Sequence, residues 1–272
     1  MNTSEENWYE ENCYPTDLLP QWAHAWRALY DGELVADDIE ALAQQLGHGL
    51  TDTARALLLR ILTRYAAEFD TVELNGSFYR WPRDEGFARW RDQLPPGFTM
   101  AVKAARGLTH ARRLRSPEEW IERLHHGWSA LRDRAGPLLV QLHPALERDD
   151  ARLDYFLGAM PAQIPVAVEF RHPSWDDEQV YRLLEKHGAA YVVMSGANLP
   201  CVLRATAGFV YVRLHGPDPD ALYGGSYSGE DLRWWAERIR EWQAQDRDVL
   251  VYFNNDLGGN AVRNARELRA QL

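Results

Sequence analysis

Apolar, strand-like segments of this sequence repeatedly end in polar side chains, and this pattern restricts the architectures open to the chain. The clearest case spans residues 166–175, where an apolar run leads directly into Glu169, Arg171, His172 and Trp175. A strand that only filled a core would be followed by turn residues. The titratable and aromatic side chains at its end therefore indicate a functional site.

The same pattern recurs along the chain and is typical of a parallel α/β barrel. Polar residues stand at or near the carboxyl ends of five more apolar segments, at residues 71–75, 98–103, 138–143, 209–215 and 249–255. A further apolar strand spans residues 191–194, and helical patterns separate most of these strands. A TIM-type barrel has its active site at the carboxyl ends of its strands and typically needs about 250 residues. With 272 residues, the chain is predicted to be an α/β protein with a TIM-type barrel.

Helical periodicity agrees with this architecture. Apolar side chains recur at three- and four-residue steps in residues 51–69, and further helices are predicted at residues 149–160, 177–187, 230–245 and 260–272. Ser116 stands before Pro117 and three residues before Glu119. This spacing predicts a helix that begins with a capping box and has proline at its first position.

The start of the chain departs from a complete barrel. Seven strands can be counted, whereas a full barrel needs eight, and no apolar run precedes Trp8. We expect the first strand to be missing or replaced, or to be encoded upstream of the given start. Residues 1–50 carry ten acidic residues and one basic residue, which leaves 30 of the 40 acidic and 29 of the 30 basic residues in 51–272. We predict an acidic, aromatic-rich elaboration over residues 1–50, packed on a nearly neutral barrel domain over residues 51–272.

Composition disfavours several classes of protein. The first twelve residues lack the apolar core of a secretory signal, and no run of about 18 apolar residues could span a membrane. Cys13 and Cys201 lie far apart in the sequence and are expected to be reduced thiols. We therefore expect a cytoplasmic protein with no membrane partner.

Glu169 and Glu73 are the leading candidates for acid/base catalysis. Both end predicted strands that face the barrel interior, where burial and nearby cations tune the pKa of a carboxylate. The alternative is structural, with Arg171 pairing with Glu169 to brace the barrel mouth and Glu73 acting as a buried hydrogen-bonding centre. Three roles are open for Lys103 at another strand end: a Schiff-base nucleophile, an electrostatic clamp or an ion-pair partner of Glu73.

Other polar residues at strand ends are expected to contact a ligand. Arg213 and His215 alternate along one strand and therefore share a face, and Asn254 and Asn255 close the last strand. A basic stretch without acidic residues, at 103–115, favours an anionic ligand. A solvated surface is the alternative explanation for that stretch.

The sequence leaves open a phosphate site and a metal site. Gly258 and Gly259 precede a predicted helix after the last strand, which is where many TIM barrels bind phosphate; an ordinary turn is the alternative. No sequence motif for a metal is present, and His143, His172, His215, Glu73 and Glu169 could converge only through the fold. The sequence requires no cofactor, although these residues leave open the binding of a divalent metal.

Aromatic side chains follow several predicted strands. Tyr79, Trp81, Trp175, Tyr223 and Tyr227 are expected in loops above the barrel mouth. Sugar rings and nucleobases both stack on such side chains.

Six separate motifs, in collinear order from about residue 60 to the end, resemble the YecE-like family, domain of unknown function 72. They are residues 69–80; Pro96, Gly97 and Phe98 with Lys103, Thr109 and His110; residues 169–175; residues 211–216; Tyr227 with Ser228; and residues 252–255 with Ala261, Asn264 and Ala265. The resemblance implies a TIM barrel and no settled activity. The family typically opens with a strand that is absent here, because only residues 2–4, Trp8 and Tyr14 with Pro15 match the end of that motif.

We therefore expect an enzyme that uses acid/base chemistry, and hydrolysis most naturally, on a polar and carbohydrate-like or phosphate-containing compound. Glu169 and Glu73 are the expected catalytic residues. The expected substrate contacts are Asn75, Tyr79, Lys103, His110, Arg171, His172, Trp175, Arg213, His215, Tyr227, Asn254 and Asn255. Nucleic-acid binding or phosphodiester cleavage is a second hypothesis, disfavoured by the neutral charge of residues 51–272. A non-catalytic binding role is the third.

Overall fold

The computed structural model describes residues 65–256 and 259–272. Within these ranges the chain forms one parallel sheet in which each strand is hydrogen-bonded to the next in chain order. The strands are β1 Thr71–Leu74, β2 Thr99–Lys103, β3 Ala135–Gln141, β4 Val166–Glu169, β5 Ala190–Ser195, β6 Phe209–Leu214 and β7 Asp248–Phe253. The sheet curls into a nearly closed barrel, which confirms the predicted α/β class and TIM-type architecture.

Helices connect most of the strands and cover the outside of the sheet. They are α1 Gly76–Tyr79, α2 Asp84–Gln93, α3 Glu118–Leu131, α4 Asp150–Ala159, α5 Glu178–His187, α6 Gly229–Gln243 and α7 Asn260–Arg269, with a π-helical turn at Gly107–Ala111. The four helices predicted after residue 140 are thus confirmed, with ends that differ by up to three residues. None of the helices in the described ranges is long and apolar enough to cross a membrane.

The predicted capping box at Ser116 is wrong. Helix α3 begins at Glu118 and receives no side-chain cap. Ser116 has a φ of 43°, a left-handed conformation in which the residue does not lead into a helix as an extended N-cap residue does. A genuine capping box occurs instead at α6, where the Ser228 hydroxyl and the Asp231 carboxylate each accept from the other residue's backbone amide.

Alternation along the strands divides the apolar residues between two cores. The larger core lies between the sheet and the helices and includes Val140, Val168 and Val212. The barrel interior is filled by another cluster, which includes Ala101, Leu139, Ala167, Val192, Tyr211 and Tyr252. Successive residues of a strand point to opposite faces, so the side chains two positions beyond this interior cluster also point into the barrel.

The edges of β1 and β7 face each other without a backbone ladder between the described residues. Side chains link the two edges instead, because the hydroxyls of Thr71 and Tyr252 lie 2.7 Å apart. The predicted absence of a first strand, the elaboration over residues 1–50 and the boundary at residue 50 fall outside the described residues. Of the two cysteines expected to be free, Cys201 is an exposed thiol, and Cys13 also lies outside the described residues.

Candidate functional site

Four strands place a charged side chain in one layer at the carboxyl end of the barrel. Glu73 on β1, Lys103 on β2, Glu169 on β4 and Arg213 on β6 each stand near the end of their strand. Lys103 follows Ala101 by two positions, Glu169 follows Ala167, and Arg213 follows Tyr211, so all three continue the inward-facing rows. The prediction that Glu169 lies at the barrel mouth is therefore confirmed.

Arg213 is the centre of this layer. Its Nη2 atom lies 2.7 Å from Glu73 Oε1, and its Nε atom lies 2.9 Å from Glu73 Oε2. Its Nη1 atom lies 2.6 Å from Glu169 Oε2. The Tyr211 hydroxyl donates to Glu73 Oε2 at 2.7 Å. A planar guanidinium with five donors can satisfy two carboxylates at once, so one arginine ties β1 and β4 to β6.

The second oxygen of Glu169 is also fully engaged. Arg171 Nε and Gln141 Nε2 both donate to Glu169 Oε1, each at 2.5 Å. Gln141 is placed there by strand register, because it lies directly beside Glu169 in the β3–β4 ladder. Arg171 thus pairs with Glu169, as the structural alternative for this glutamate predicted.

Both carboxylates are held in the ionised form. Burial by itself would raise the pKa of Glu169, but Arg171 and Arg213 outweigh burial and hold that pKa well below its usual range. Burial likewise opposes ionisation of Glu73, and Arg213 with the Tyr211 hydroxyl lowers its pKa. Carboxylates of this kind are poor proton acceptors near neutral pH, because the charged form is already stabilised by hydrogen bonds.

Lys103 stands in the same layer but outside this hydrogen-bonded network. Its Nζ atom lies 4.3 Å from the centre of the Phe78 ring, and it forms no hydrogen bond or ion pair with any residue in the described part of the chain. Of the three roles left open for Lys103, the ion pair with Glu73 is therefore wrong, because Arg213 contacts both oxygens of that carboxylate. The Ser77 hydroxyl donates to the Lys103 carbonyl at 2.7 Å and fixes the end of β2.

The amine of Lys103 titrates far below the ordinary range for lysine. Burial lowers its pKa to about 8, and repulsion from Arg213 acts in the same direction. The carboxylates of Glu169 and Glu73 oppose this change without reversing it. A sizeable fraction of the amine is consequently neutral at slightly alkaline pH, which is the form that accepts a proton or attacks a carbon atom.

Two histidines near the mouth are held neutral. Burial lowers the pKa of His215 to about 4, and burial together with the neighbouring His143 lowers the pKa of His110 to about 3. His215 Nε2 lies 3.4 Å from Arg171 Nη2. His215 Nδ1 and Asn254 Nδ2 are buried without a hydrogen-bonding partner among the described residues. Such unsatisfied groups are unusual in folded proteins, and both are suited to contact a polar ligand.

The structure separates other expected contacts from this cluster. Trp175 is buried between the sheet and the helices, where it stacks on Phe170 and donates to the Leu146 carbonyl at 2.7 Å. Tyr227 is buried, and its hydroxyl accepts from the Gly216 amide at 3.1 Å. These two rings are therefore not brought to the mouth, although their motifs flank strand ends.

Four more expected contacts lie beside the site or face away from it. The Asn255 amide donates to the Asn264 side-chain carbonyl and to the Gly225 backbone carbonyl. His172 caps the short turn at Ser174. Asn75 precedes α1, and Tyr79 is its last residue, half exposed and packed edge-on against Phe78. Gly258 lies outside the described residues, so the phosphate site beside it stays a prediction.

The sequence pattern assigns no role to Gln141, Tyr211 or Phe78, all of which belong to the site. Alternation within β3 and β6 would place Gln141 and Tyr211 on the inward face. No sequence pattern predicts the role of Phe78, because its position over Lys103 depends on the short α1 helix. No group of three potential metal ligands converges in the described part of the chain.

Comparison with known proteins agrees with the fold and the motifs. The model of a family described as protein of unknown function DUF72 matches residues 54–272. The UPF0759 protein YunF of Bacillus subtilis is 27% identical over 238 residues, which cover 76% of this chain and 84% of YunF. The UPF0759 protein YecE of Escherichia coli K12 is 28% identical over 139 residues, which cover 49% of this chain and 51% of YecE.

Solved structures share the architecture. A DUF72 family protein from Thermotoga maritima is 28% identical, with a TM-score of 0.70 over 78% of this chain and 88% of its own. Another from Enterococcus faecalis has a TM-score of 0.71 at 21% identity, over 78% of this chain and 87% of its own, and at that identity shows the fold alone. Because the family match covers most of its length, the chain belongs to the DUF72 family.

Proposed function

We propose that this protein is an enzyme that binds a small anionic compound at the barrel mouth and transforms it by acid/base chemistry. The observation that carries the proposal is the amine of Lys103, which stands among paired charges without a partner of its own among the described residues. An amine with a pKa of about 8 is suited to proton transfer near neutral pH. In this proposal, Glu73 and Glu169 position the cations around that amine.

The anion would be held by donors that the internal network does not use. Arg171 uses Nε for Glu169 and Nη2 for His215, and Nη1 has no partner among the described residues. Arg213 is committed to Glu73 and Glu169 and supports the site from below. Arg171 Nη1 and Lys103 Nζ would therefore contact the anionic group, and Asn254 with His215 would orient the rest of the compound.

Hydrolysis of a carbohydrate-like or phosphate-containing compound is the reaction class that we favour, in a cytoplasmic protein. Tyr79 and Tyr223 are the exposed aromatic rings near the mouth, at 48% and 42% exposure, and Tyr223 packs edge-on against His215. Exposed rings beside a polar site suit the apolar face of a sugar. These rings support a carbohydrate-like substrate.

Binding and turnover test the proposal together. Titration calorimetry with inorganic phosphate should give saturable binding, and a panel of phosphomonoesters and glycosides should contain a substrate. Lys103→Gln should lower turnover by roughly 10²–10⁴, whereas Lys186→Gln, at an exposed ion pair with Asp154, should leave it unchanged. Absence of anion binding together with equal turnover in both variants would refute the proposal.

The salt dependence of binding distinguishes nucleic-acid binding from this proposal. Phosphate contacts along a strand release counterions, so affinity for single-stranded DNA should fall steeply between two salt concentrations. DNA binding with that dependence, combined with no binding of small anions, would replace the small-molecule proposal by the nucleic-acid hypothesis.

A further inference from the structure

The chain uses lysine sparingly. It contains 30 lysine and arginine residues, of which only Lys103 and Lys186 are lysines. Lys186 lies on the surface and pairs with Asp154 at 2.7 Å. Lys103 is the other, and it is 9% exposed in the charged layer of the barrel. In a chain that supplies positive charge almost always by arginine, a lysine at this position calls for a chemical explanation.

Positive charge alone does not explain Lys103. Arg213 already neutralises Glu73 and Glu169, and Arg171 adds a second cation beside Glu169. A guanidinium is always protonated in proteins and is no nucleophile, whereas a lysine amine becomes one when it loses its proton. The property that distinguishes Lys103 from its charged neighbours is therefore the nucleophilic lone pair.

The surroundings of the amine make its charged form less favourable than it is in water. Phe78 forms an apolar wall 4.3 Å from Nζ. The charged groups that act on it are Glu73 from β1, Glu169 and Arg171 at the end of β4, and Arg213 from β6. His110 from the π-helical turn also lies within electrostatic reach, and its lowered pKa keeps it neutral. Arginines that pair with the glutamates leave no carboxylate of this layer free to hold a proton on the amine.

We infer that Lys103 forms an imine with an aldehyde or ketone group of the anionic substrate, whose charge is held by Arg171. This inference rests on the proposed function for the site and its anionic substrate, and it assigns Lys103 a covalent role in place of the hydrolysis favoured above. The substrate must therefore carry a carbonyl carbon that Lys103 Nζ can reach while the anionic group contacts Arg171 Nη1. Arg171 Nη1 thus contacts the charged group of the substrate, and Lys103 Nζ reacts with its carbonyl carbon.

The reaction needs no partner beyond the amine and the carbonyl compound. The nitrogen lone pair forms a bond to the carbonyl carbon, the carbonyl π electrons move to oxygen, and proton transfer from nitrogen to oxygen gives a carbinolamine. Loss of the hydroxyl group with the remaining proton of nitrogen releases one water and leaves a carbon–nitrogen double bond. Protonation of that imine makes it an electron sink, which assists cleavage of a bond at the adjacent carbon.

Reductive trapping tests the inference in the full-length protein. We would treat it with glyoxylate, glycolaldehyde phosphate or neutral glycolaldehyde in the presence of cyanoborohydride, and measure modification of each lysine by peptide mass spectrometry. Lys103 should react with at least one of the two anionic aldehydes more than about tenfold faster than Lys186. Comparison of glyoxylate with glycolaldehyde phosphate shows whether the site prefers a carboxylate or a phosphate. Neutral glycolaldehyde should show a much smaller preference for Lys103.

Variants assign the roles separately. Arg171→Gln should remove the advantage of the anionic aldehydes at Lys103, and Lys103→Arg should retain phosphate binding while abolishing trapping. If phosphate binds but Lys103 reacts no faster than Lys186 with any aldehyde, imine formation is refuted while the proposed function stands. If neither phosphate nor the anionic aldehydes bind or react, both are refuted.

Discussion

At the scale of single residues, arginine and lysine have different roles in the same layer. Arg213 donates to Glu73 and Glu169 at once and is 2% exposed. A buried ion pair contributes little net stability compared with apolar residues, but removing one partner leaves an uncompensated buried charge. The carboxylates and Arg213 are consequently expected to support folding, and Lys103 to support function.

Glu169→Gln should be strongly destabilising. The change removes the negative charge that both Arg171 and Arg213 contact, and Gln can accept from only one of them through its single carbonyl oxygen. We expect the free energy of unfolding to fall by about 3–5 kcal/mol, measured by urea denaturation at pH 7. Glu122→Gln, at an exposed helix position, is the matched control and should change it by less than about 0.5 kcal/mol. Similar small changes in both variants would show that Glu169 is free for proton transfer.

Lys103→Met should stabilise the protein at neutral pH. The folded state lowers the pKa of Lys103 to about 8, so at pH 7 the charged amine is held in an unfavourable place. A tenfold change in an ionisation equilibrium corresponds to about 1.4 kcal/mol, and partial exposure of the amine reduces the gain in unfolding free energy to about 1–3 kcal/mol. The gain should shrink between about pH 8 and pH 10.4, as the native amine becomes neutral before the unfolded one. A lower melting temperature for Lys103→Met at pH 7 would identify Lys103 as a structural residue.

At the scale of elements, the loop after β6 is held tightly against the strand ends. Gly216 follows His215 with a φ of 99°, and a Cβ atom there would collide with the backbone of Gly224. The Tyr223 amide donates to the His215 carbonyl at 2.6 Å. The absence of a side chain at Gly216 thus lets this loop fold back over β6 and fixes the backbone of His215.

Gly216→Ala should cost more stability than Gly188→Ala. Gly188 ends α5 with a φ of 63° and has open space around its Cα atom. Alanine in the left-handed region costs about 1–2 kcal/mol, and this is the whole penalty expected at Gly188. At Gly216 the backbone of the loop must also move, which adds about 1–3 kcal/mol. Equal losses in urea denaturation would show that the loop is less constrained than the structure indicates.

The strands can be predicted from sequence better than the short helices. Alternation and polar ends identify β2 and β6, because both features are local. Helix α2 is not predicted, since Phe87 is its only buried residue and no apolar stripe is present. The charged strand ends are predicted, but the partners of Arg213 are not. Arg213 and Glu73 are 140 positions apart, so their contact follows from closure of the barrel.

At the scale of the whole molecule, acid should unfold the protein by protonating groups that the fold keeps unprotonated. Because the pKa of His215 is about 4 and that of His110 about 3 in the folded state, the unfolded chain takes up these protons first as the pH falls below about 6.5. Stability should therefore decline from about pH 6.5 downwards. Each histidine contributes up to about 1.4 kcal/mol per pH unit.

The carboxylates extend this loss at lower pH. Their folded pKa values are lowered, so their contribution is present above the unfolded value and is lost as the pH falls towards the folded one. Urea denaturation at several pH values measures the slope of the unfolding free energy against pH. His215→Asn should flatten it between about pH 6.5 and pH 4, and substitution of the exposed His126 should not. Constant stability from pH 7 to 4.5 would contradict the burial of these histidines.

The proposed chemistry requires a free, easily deprotonated amine at Lys103, in a mouth whose other cations are arginines. The most direct measurement is the rate of acetylation of each lysine by trace acetic anhydride as a function of pH, read by peptide mass spectrometry with Lys186 as the internal reference. We predict a midpoint near pH 8 for Lys103, in agreement with its lowered pKa of about 8. A midpoint near the ordinary lysine value of about 10.4 would contradict the account, because the amine would then be an ordinary cation held by a carboxylate.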